Sequence, residues 1–288
     1  MKKRYLVSFL ALAMAGCEAT IDPMEHEKTL NSVDESVLIV DGNAESHQLE
    51  KVLTIDHSRL AQQANEHLAP SRVDFYTNDK LNTQLLKENL AVGIDLPFRV
   101  LNYVENGQQK TVYTDASFIQ KRHKIENSEA IMLYSQQSKY LVSNLNNTQA
   151  VRSDKLTTDY GLEKLQSDYD FETTIANIKR DVLAQDDTVW FMDWDFKARA
   201  NAIGETLPNA TLLVFGGPAP GAKAMRDFPS IGLDAFGQKV LVTEENGEVQ
   251  VMYNNIVDMA ELHYGDSALP HKIINYRLGK TIGGAIEK

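Results

Sequence analysis

Phe98-Arg99-Val100-Leu101-Asn102-Tyr103-Val104-Glu105-Asn106-Gly107 is a largely apolar run that ends in an Asn-Gly pair, and the chain contains this pattern twice. Arg99-Val100-Leu101 lies over Lys239-Val240-Leu241, Glu105-Asn106-Gly107 over Glu245-Asn246-Gly247, Tyr113 over Tyr253 and His123 over His263, all 140 residues apart. Upstream, Gly93-Ile94-Asp95 matches Gly232-Leu233-Asp234 at 139, and Pro70 matches Pro208 at 138. Single insertions in connecting loops produce such a slow drift, so the 288 residues hold two related halves. Asn-Gly supplies the positive backbone angles of a two-residue turn, which predicts a β-hairpin in each half, Phe98 to Thr114 and Gln238 to Asn254.

Outward from the hairpins, helices are expected over Ser117 to His123 and Val257 to Tyr264. In the second half Asp170 is a suitable N-cap for a helix whose face is Phe171, Ile175, Ile178 and Val182. Thr188 to Asp193 and Thr211 to Phe215 read as strands, with a short helix within Lys197 to Thr206. In the first half Ser36 to Val40 and Leu49 to Ile55 read as strands, and Leu81, Leu85, Leu86 and Leu90 mark a helix face. Glu126 to about Asp159 reads as a polar bridge with a helical centre near Met132 to Leu145. The fold class is α+β: two related domains, each a mostly antiparallel sheet with helices on one face.

Lys2-Lys3-Arg4, an apolar stretch from Tyr5 to Ala13 and the small residues Ala15-Gly16 before Cys17 read as a secretory signal, since the apolar run is too short to span a bilayer. The single cysteine stands at the cut site, where Met14-Ala15-Gly16-Cys17 resembles the bacterial lipobox, with Met14 in place of the preferred Leu. That resemblance implies lipidation of Cys17 and a membrane anchor. Glu18, in place of the Asp that retains lipoproteins at the inner membrane, implies the periplasmic side of the outer membrane. The expected divisions are a signal peptide at 1–16, a flexible tether at 17–36, a first domain at 37–155 and a second at 156–288. The formal net charge of −11 opposes binding to a phosphate backbone, so nucleic acid is not an expected partner.

Both halves resemble the family called domain of unknown function 302, a bacterial and archaeal α+β fold of the TATA-binding-protein-like class that assembles as dimers. The second half carries the resemblance in Ser167 to Thr174, Thr211-Leu212-Leu213-Val214-Phe215-Gly216-Gly217-Pro218 and Gly232-Leu233-Asp234. The first half carries it in Ile55-Asp56-His57, Pro70 and Gly93-Ile94-Asp95-Leu96-Pro97. The departures are complementary. The first half has Thr77-Asn78-Asp79-Lys80 where the family has Phe-Gly-Asn-Pro, while the second has Asp193-Trp194-Asp195 in place of Ile-Asp-His and Asp234-Ala235-Phe236 in place of Asp-Leu-Pro. A covalent pseudo-dimer with one composite site would combine Asp56 and His57 with Phe215, Gly216, Gly217 and Pro218. The alternative is drift between two structural copies.

The ligand-binding candidates are therefore Asp56, His57, Phe215, Gly216, Gly217, Pro218, Asp95, Asp234, Tyr113 and Tyr253, with Asp56 and His57 the candidate acid-base pair of an enzymatic alternative. His123 and His263 end equivalent helices and read as C-terminal caps. Trp190 and Trp194 read as core. Gly216 to Pro218 reads as a close-approach turn at a sheet edge, and its prolines remove backbone donors that a phosphate loop needs. No metal site and no cofactor are expected: the histidines lack ligand spacing, and no Gly-x-Ser-x-Gly elbow appears. The expected activity is that of a ligand-binding or interaction module of the cell envelope, its partners the membrane through Cys17 and a small molecule or envelope protein, with homo-oligomers implied by the family's dimers. An enzyme acting on a small polar molecule and a purely structural envelope protein are the alternatives.

Overall fold

Both Asn-Gly pairs turn their hairpins with positive backbone angles: φ is 53° and 73° at Asn106 and Gly107, and 53° and 82° at Asn246 and Gly247. The computed structural model describes residues 23–234 and 237–288, so the leader and Cys17 lie outside the described residues. The first copy runs α1 (Pro23–Ser46), β1 (Glu50–Asp56), α2 (His57–Gln63), β2 (Ser71–Thr77), α3 (Asp79–Glu88), a 3-10 turn (Leu90–Asp95), the hairpin β3 (Phe98–Glu105) and β4 (Gln108–Tyr113), α4 (Ala116–His123), α5 (Ser128–Leu141) and β5 (Thr148–Ala150). The second runs β6 (Leu162–Gln166), α6 (Phe171–Leu183), β7 (Val189–Asp195), α7 (Phe196–Ala202), β8 (Asn209–Gly216), α8 (Pro218–Met225), a 3-10 turn (Pro229–Leu233), the hairpin β9 (Gln238–Glu245) and β10 (Glu248–Asn254), α9 (Ile256–Tyr264) and α10 (Leu269–Ile286).

Each copy builds a five-stranded sheet, ordered β1-β2-β3-β4-β5 and β6-β10-β9-β8-β7. All pairings are antiparallel except β4 with β5. The strand beside the hairpin thus comes from opposite ends of the two copies: β6 precedes its copy and β5 follows, so β5 pairs parallel.

Three readings are corrected. From residue 23 on, the expected tether, and with it the strand at Ser36 to Val40, give way to α1, because Val33, Val37, Val40 and Ala44 recur every three or four residues and are all buried; residues 17–22 lie outside the described residues. The bridge is part of the first copy's fold, contributing α5 and β5. Gly216 to Pro218 does not turn at a sheet edge, since β8 lies between β7 and β9, and the chain passes there directly into α8.

In copy two α6 and α10 cover one sheet face over Leu213, Phe215, Val240, Val242, Val249 and Val251. In copy one α1 lies across β1 to β4 with α5 beside it. The opposite faces turn toward each other. The 3-10 turn of copy one packs on β8, β9 and β10 and that of copy two on β2, β3 and β4, while α2 meets α8 and α3 meets α7, an arrangement with pseudo-twofold symmetry. A continuous core joins the copies, with Ile55, Val92 and Leu101 of one beside Leu212, Leu241 and Met252 of the other. The repeated glycines are explained here. A Cβ on Gly93 would lie 3.0 Å from a Leu241 methyl, and one on Gly232 would lie 3.0 Å from the His57 ring, so each turn approaches the other copy too closely for a side chain.

Candidate functional site

Asp56 and His57 diverge at the junction of β1 and α2. Asp56 is the N-cap of α2, accepting from the Arg59 backbone N–H at 2.9 Å and the Ser58 hydroxyl at 2.9 Å, with the Arg59 guanidinium also paired to it. His57 is fully buried, with Nδ1 3.1 Å from the Ser71 hydroxyl and its ring against Gly232. Burial pushes its pKa down to about 3, so the ring is neutral at pH 7.

The Gly-Pro loop lies elsewhere. Gly217 is the N-cap of α8 and Pro218 its first residue, and a Cβ on Gly217 would meet the Asp187 carbonyl at 2.9 Å. Phe215 stacks on Trp190 with centroids 5.5 Å apart. The loop borders a cavity of about 40 Å3 formed by copy two alone, beside the Arg277–Asp187 ion pair at 2.8 Å. His57 faces Met225 and Gly232 at the far end of α8, about 12 Å along an eight-residue helix. The acid-base pair and the loop do not share one site. Tyr253 packs under α10, with its hydroxyl 3.2 Å from where a Gly279 Cβ would stand, and Tyr113 is half-buried against the core of copy one.

The structure does bring Asp95 and Asp234 together. Asp95 accepts from Arg99 at 3.1 Å, Arg122 at 2.7 Å and His123 Nε2 at 2.7 Å. Asp234 accepts from Lys239 at 2.6 Å, and Arg99 reaches it across the interface at 3.1 Å. Arg122 crosses in the other direction to Asn254 at 2.7 Å. All these side chains are sealed from solvent. Burial alone would raise the Asp95 carboxyl, but Arg122, His123 and Arg99 outweigh it and hold it well below the usual carboxylate range. Burial, reinforced by Arg99, pushes Lys239 down to about 8 against the pull of Asp234 and Asp95.

The reading of the two histidines as helix caps is corrected: Lys124 and Gly265, both with left-handed backbones, end those helices, and the rings turn inward. His123 meets Asp95, and His263 Nδ1 meets the Ser230 hydroxyl at 2.9 Å. Arg99, Arg122 and Lys239 escaped the sequence reading, although the repeat register, which pairs Arg99 with Lys239 as it pairs Asp95 with Asp234, carries the signal.

Beyond this network the two ends of the interface differ. At one end Tyr103, Phe228 and Tyr264 fill the space between the copies: Phe228 and Tyr264 meet edge to face at 5.1 Å, and the Tyr264 hydroxyl bonds Glu105 and the Ser230 N–H, both at 2.9 Å. The positions equivalent in the repeat are Thr243, Asn89 and Lys124. There a cleft of about 380 Å3 stands open, walled by Leu86 to Ala91 of copy one, with Thr243, Gln250 and Met252 of β9 and β10 as floor and Glu245, Glu248 and Lys164 at the rim. Among the described residues no group of three or more His, Cys, Asp or Glu is placed to hold a metal ion.

The profile of the family described as "Domain of unknown function DUF302" matches residues 26–141 and 163–282. Fluoride-specific ion channel FluC 1 of Brucella suis biovar 1 is 29% identical over 97 residues, which cover 33% of this chain and 38% of that protein. Fluoride-specific ion channel FluC 2 of Brucella melitensis biotype 1 is likewise 29% identical over 97 residues, covering 36% of its length. The chain spans little more than a third of these relatives. The crystal structure of an uncharacterized conserved DUF302 protein from Bacillus stearothermophilus aligns at a TM-score of 0.37 with 15% identity, covering 44% of this chain and 95% of that one.

Proposed function

The chain belongs to the family of domain of unknown function DUF302, with two copies in one polypeptide, and from that premise we propose that it is an envelope-anchored binding module holding a small ligand in the open cleft between its copies. The observation that carries this reading is the broken symmetry of the interface. One end is closed by three aromatic side chains, and the other presents Thr243, Asn89 and a cleft of about 380 Å3, within the size range of small-molecule sites. Asp56 is engaged as a helix cap and His57 is sealed, so acid-base chemistry has no support at those residues.

Anchoring rests on Met14-Ala15-Gly16-Cys17, on the periplasmic side of the outer membrane by virtue of Glu18. No described helix is long and apolar enough to cross a membrane. Mass spectrometry of the chain from its own membranes should find an acylated Cys17, and an unmodified N-terminus elsewhere would overturn the anchor. Native mass spectrometry of the same material should find a non-covalent small-molecule adduct that Thr243→Tyr, which puts the first copy's own residue into the cleft, eliminates. An adduct that survives Thr243→Tyr would place the ligand elsewhere and overturn the cleft as its site.

A further inference from the structure

We infer that the cleft selects an organic cation: an amine carried on a short aliphatic stem, bound by the facing carboxylates of Glu245 and Glu248. This rests on the reading of the cleft as a ligand site and adds the chemical class of the ligand.

The argument is a charge balance around the cleft. Its two lysines are engaged, Lys87 with Glu205 at 2.5 Å and Lys164 with Asp159 at 2.8 Å. Glu88 is engaged as well, accepting the N–H groups of Glu126 and Asn127 ahead of α5. What remains is Glu245 and Glu248, which stand directly opposite each other across the hairpin and form no ion pair among the described residues. Like charges at opposed positions destabilise an antiparallel ladder.

The first copy shows how the same position is handled without a ligand. There Glu105 faces the neutral Gln108, and Lys110 at 2.5 Å together with the Tyr264 hydroxyl satisfies the single carboxylate. Copy two has added a second carboxylate, replaced Lys110 by Gln250 and opened the space in front. A bound ammonium restores the missing positive charge.

The floor indicates the stem. The half-buried Leu90 offers apolar surface beside the buried Leu86 and Met252, and the Thr243 hydroxyl, on a residue only 4% exposed, has no hydrogen-bond partner among the described residues and lines the cleft. An amine at the rim, a few methylenes along Leu90, and a polar group at Thr243 would satisfy all three features. A bare metal ion would use only the rim.

The test is titration calorimetry of the whole chain in detergent with 1,5-diaminopentane, in low salt at pH 7, using wild type, Glu245→Gln/Glu248→Gln and Thr243→Tyr. Glu245 and Glu248 are exposed, so the double variant should fold as wild type, which a melting curve checks. Binding to wild type that weakens at least tenfold in the double variant and disappears in Thr243→Tyr is the expected result. Equal binding to wild type and the double variant, lost only in Thr243→Tyr, would overturn the cation class and leave the cleft as a site. Equal binding to all three would overturn both. No binding to wild type tighter than about 5 mM would overturn the cation class, with the adduct measurement deciding the cleft separately.

Discussion

Where Tyr103, Phe228 and Tyr264 close one end of the interface, the other, with Thr243 and Asn89 at the equivalent positions, stands open, although the backbones on either side are copies of each other. A homodimer cannot do this, because its symmetry forces both ends to be alike. Covalent fusion removes that constraint, and the two inner faces have used the freedom in two ways. In the sealed centre, Asp95 gathers Arg99, Arg122 and His123, while its counterpart Asp234 has Lys239 and the crossing Arg99. At the ends, aromatic filling in one copy became open space in the other. The centre holds the copies together and the open end is free to specialise.

The comparison breaks most severely at the centre. Asp95→Ala leaves two guanidinium groups buried with one fewer carboxylate, and removing one member of a buried ion pair costs about 3–5 kcal/mol. Asp234→Ala should cost less, since Asp95 still faces Arg99, Arg122 and His123, and urea unfolding of both variants measures the difference. Equal losses would mean that the two halves of the network act alike. Next in size is Tyr103→Thr, which copies the open end into the closed one. Removing most of a fully buried aromatic ring costs about 3 kcal/mol and should create a second cleft, seen as a new binding site for small aromatic probes.

The sequence carries the frame of this molecule and little of its site. Asn106-Gly107 and Asn246-Gly247 place both hairpins because a two-residue turn has almost no other chemistry, and Phe171 to Val182 keeps a clean helical period. The helix α1 is hidden because Val37-Leu38-Ile39-Val40 has the β-branched composition of a strand, while only every third or fourth residue is buried. Asp95 and Asp234 are marked by the repeated glycine two residues before each. Arg99 and Lys239, by contrast, look like ordinary strand cations, and only the docking of the other copy buries them. Likewise Arg122-His123 has the composition of a last helical turn, which tertiary contacts override. The open cleft could not be read at all until the face carrying Tyr103 and Thr243 was known to be an interface.

Lys239 against Arg99 sharpens the central comparison by pH. Lys239 has a folded pKa near 8, below the ~10.4 of an unfolded lysine, so between these values the unfolded chain holds a proton that the folded chain has released. Stability therefore rises with pH across this window, by about 3 kcal/mol for the full shift, and the penalty for burying the charge is fully present below pH 8. Above about pH 10 the slope reverses, because buried tyrosines such as Tyr76 and Tyr103 have raised pKa values and the unfolded chain loses their protons first. Arg99 stays charged throughout. Urea melts at pH 7, 8 and 9 should show increasing stability in wild type and a flatter profile in Lys239→Met. An unchanged slope in that variant would assign the titration to another group.

The smallest effect on stability is expected from Thr243→Tyr, the reverse of the exchange at Tyr103. A large residue forced into a packed core costs about 1–3 kcal/mol, but Thr243 faces about 380 Å3 of open space rather than a wall. The added ring can lie along Leu90, gaining apolar contact at about 25 cal/mol per Å2 while losing no hydrogen bond that the Thr243 side chain holds. The midpoint of urea unfolding should therefore stay within about 1 kcal/mol of wild type, or rise. A loss as large as that of Tyr103→Thr would mean that the end occupied by Thr243 is packed as tightly as its counterpart, and the asymmetry on which the binding role depends would vanish.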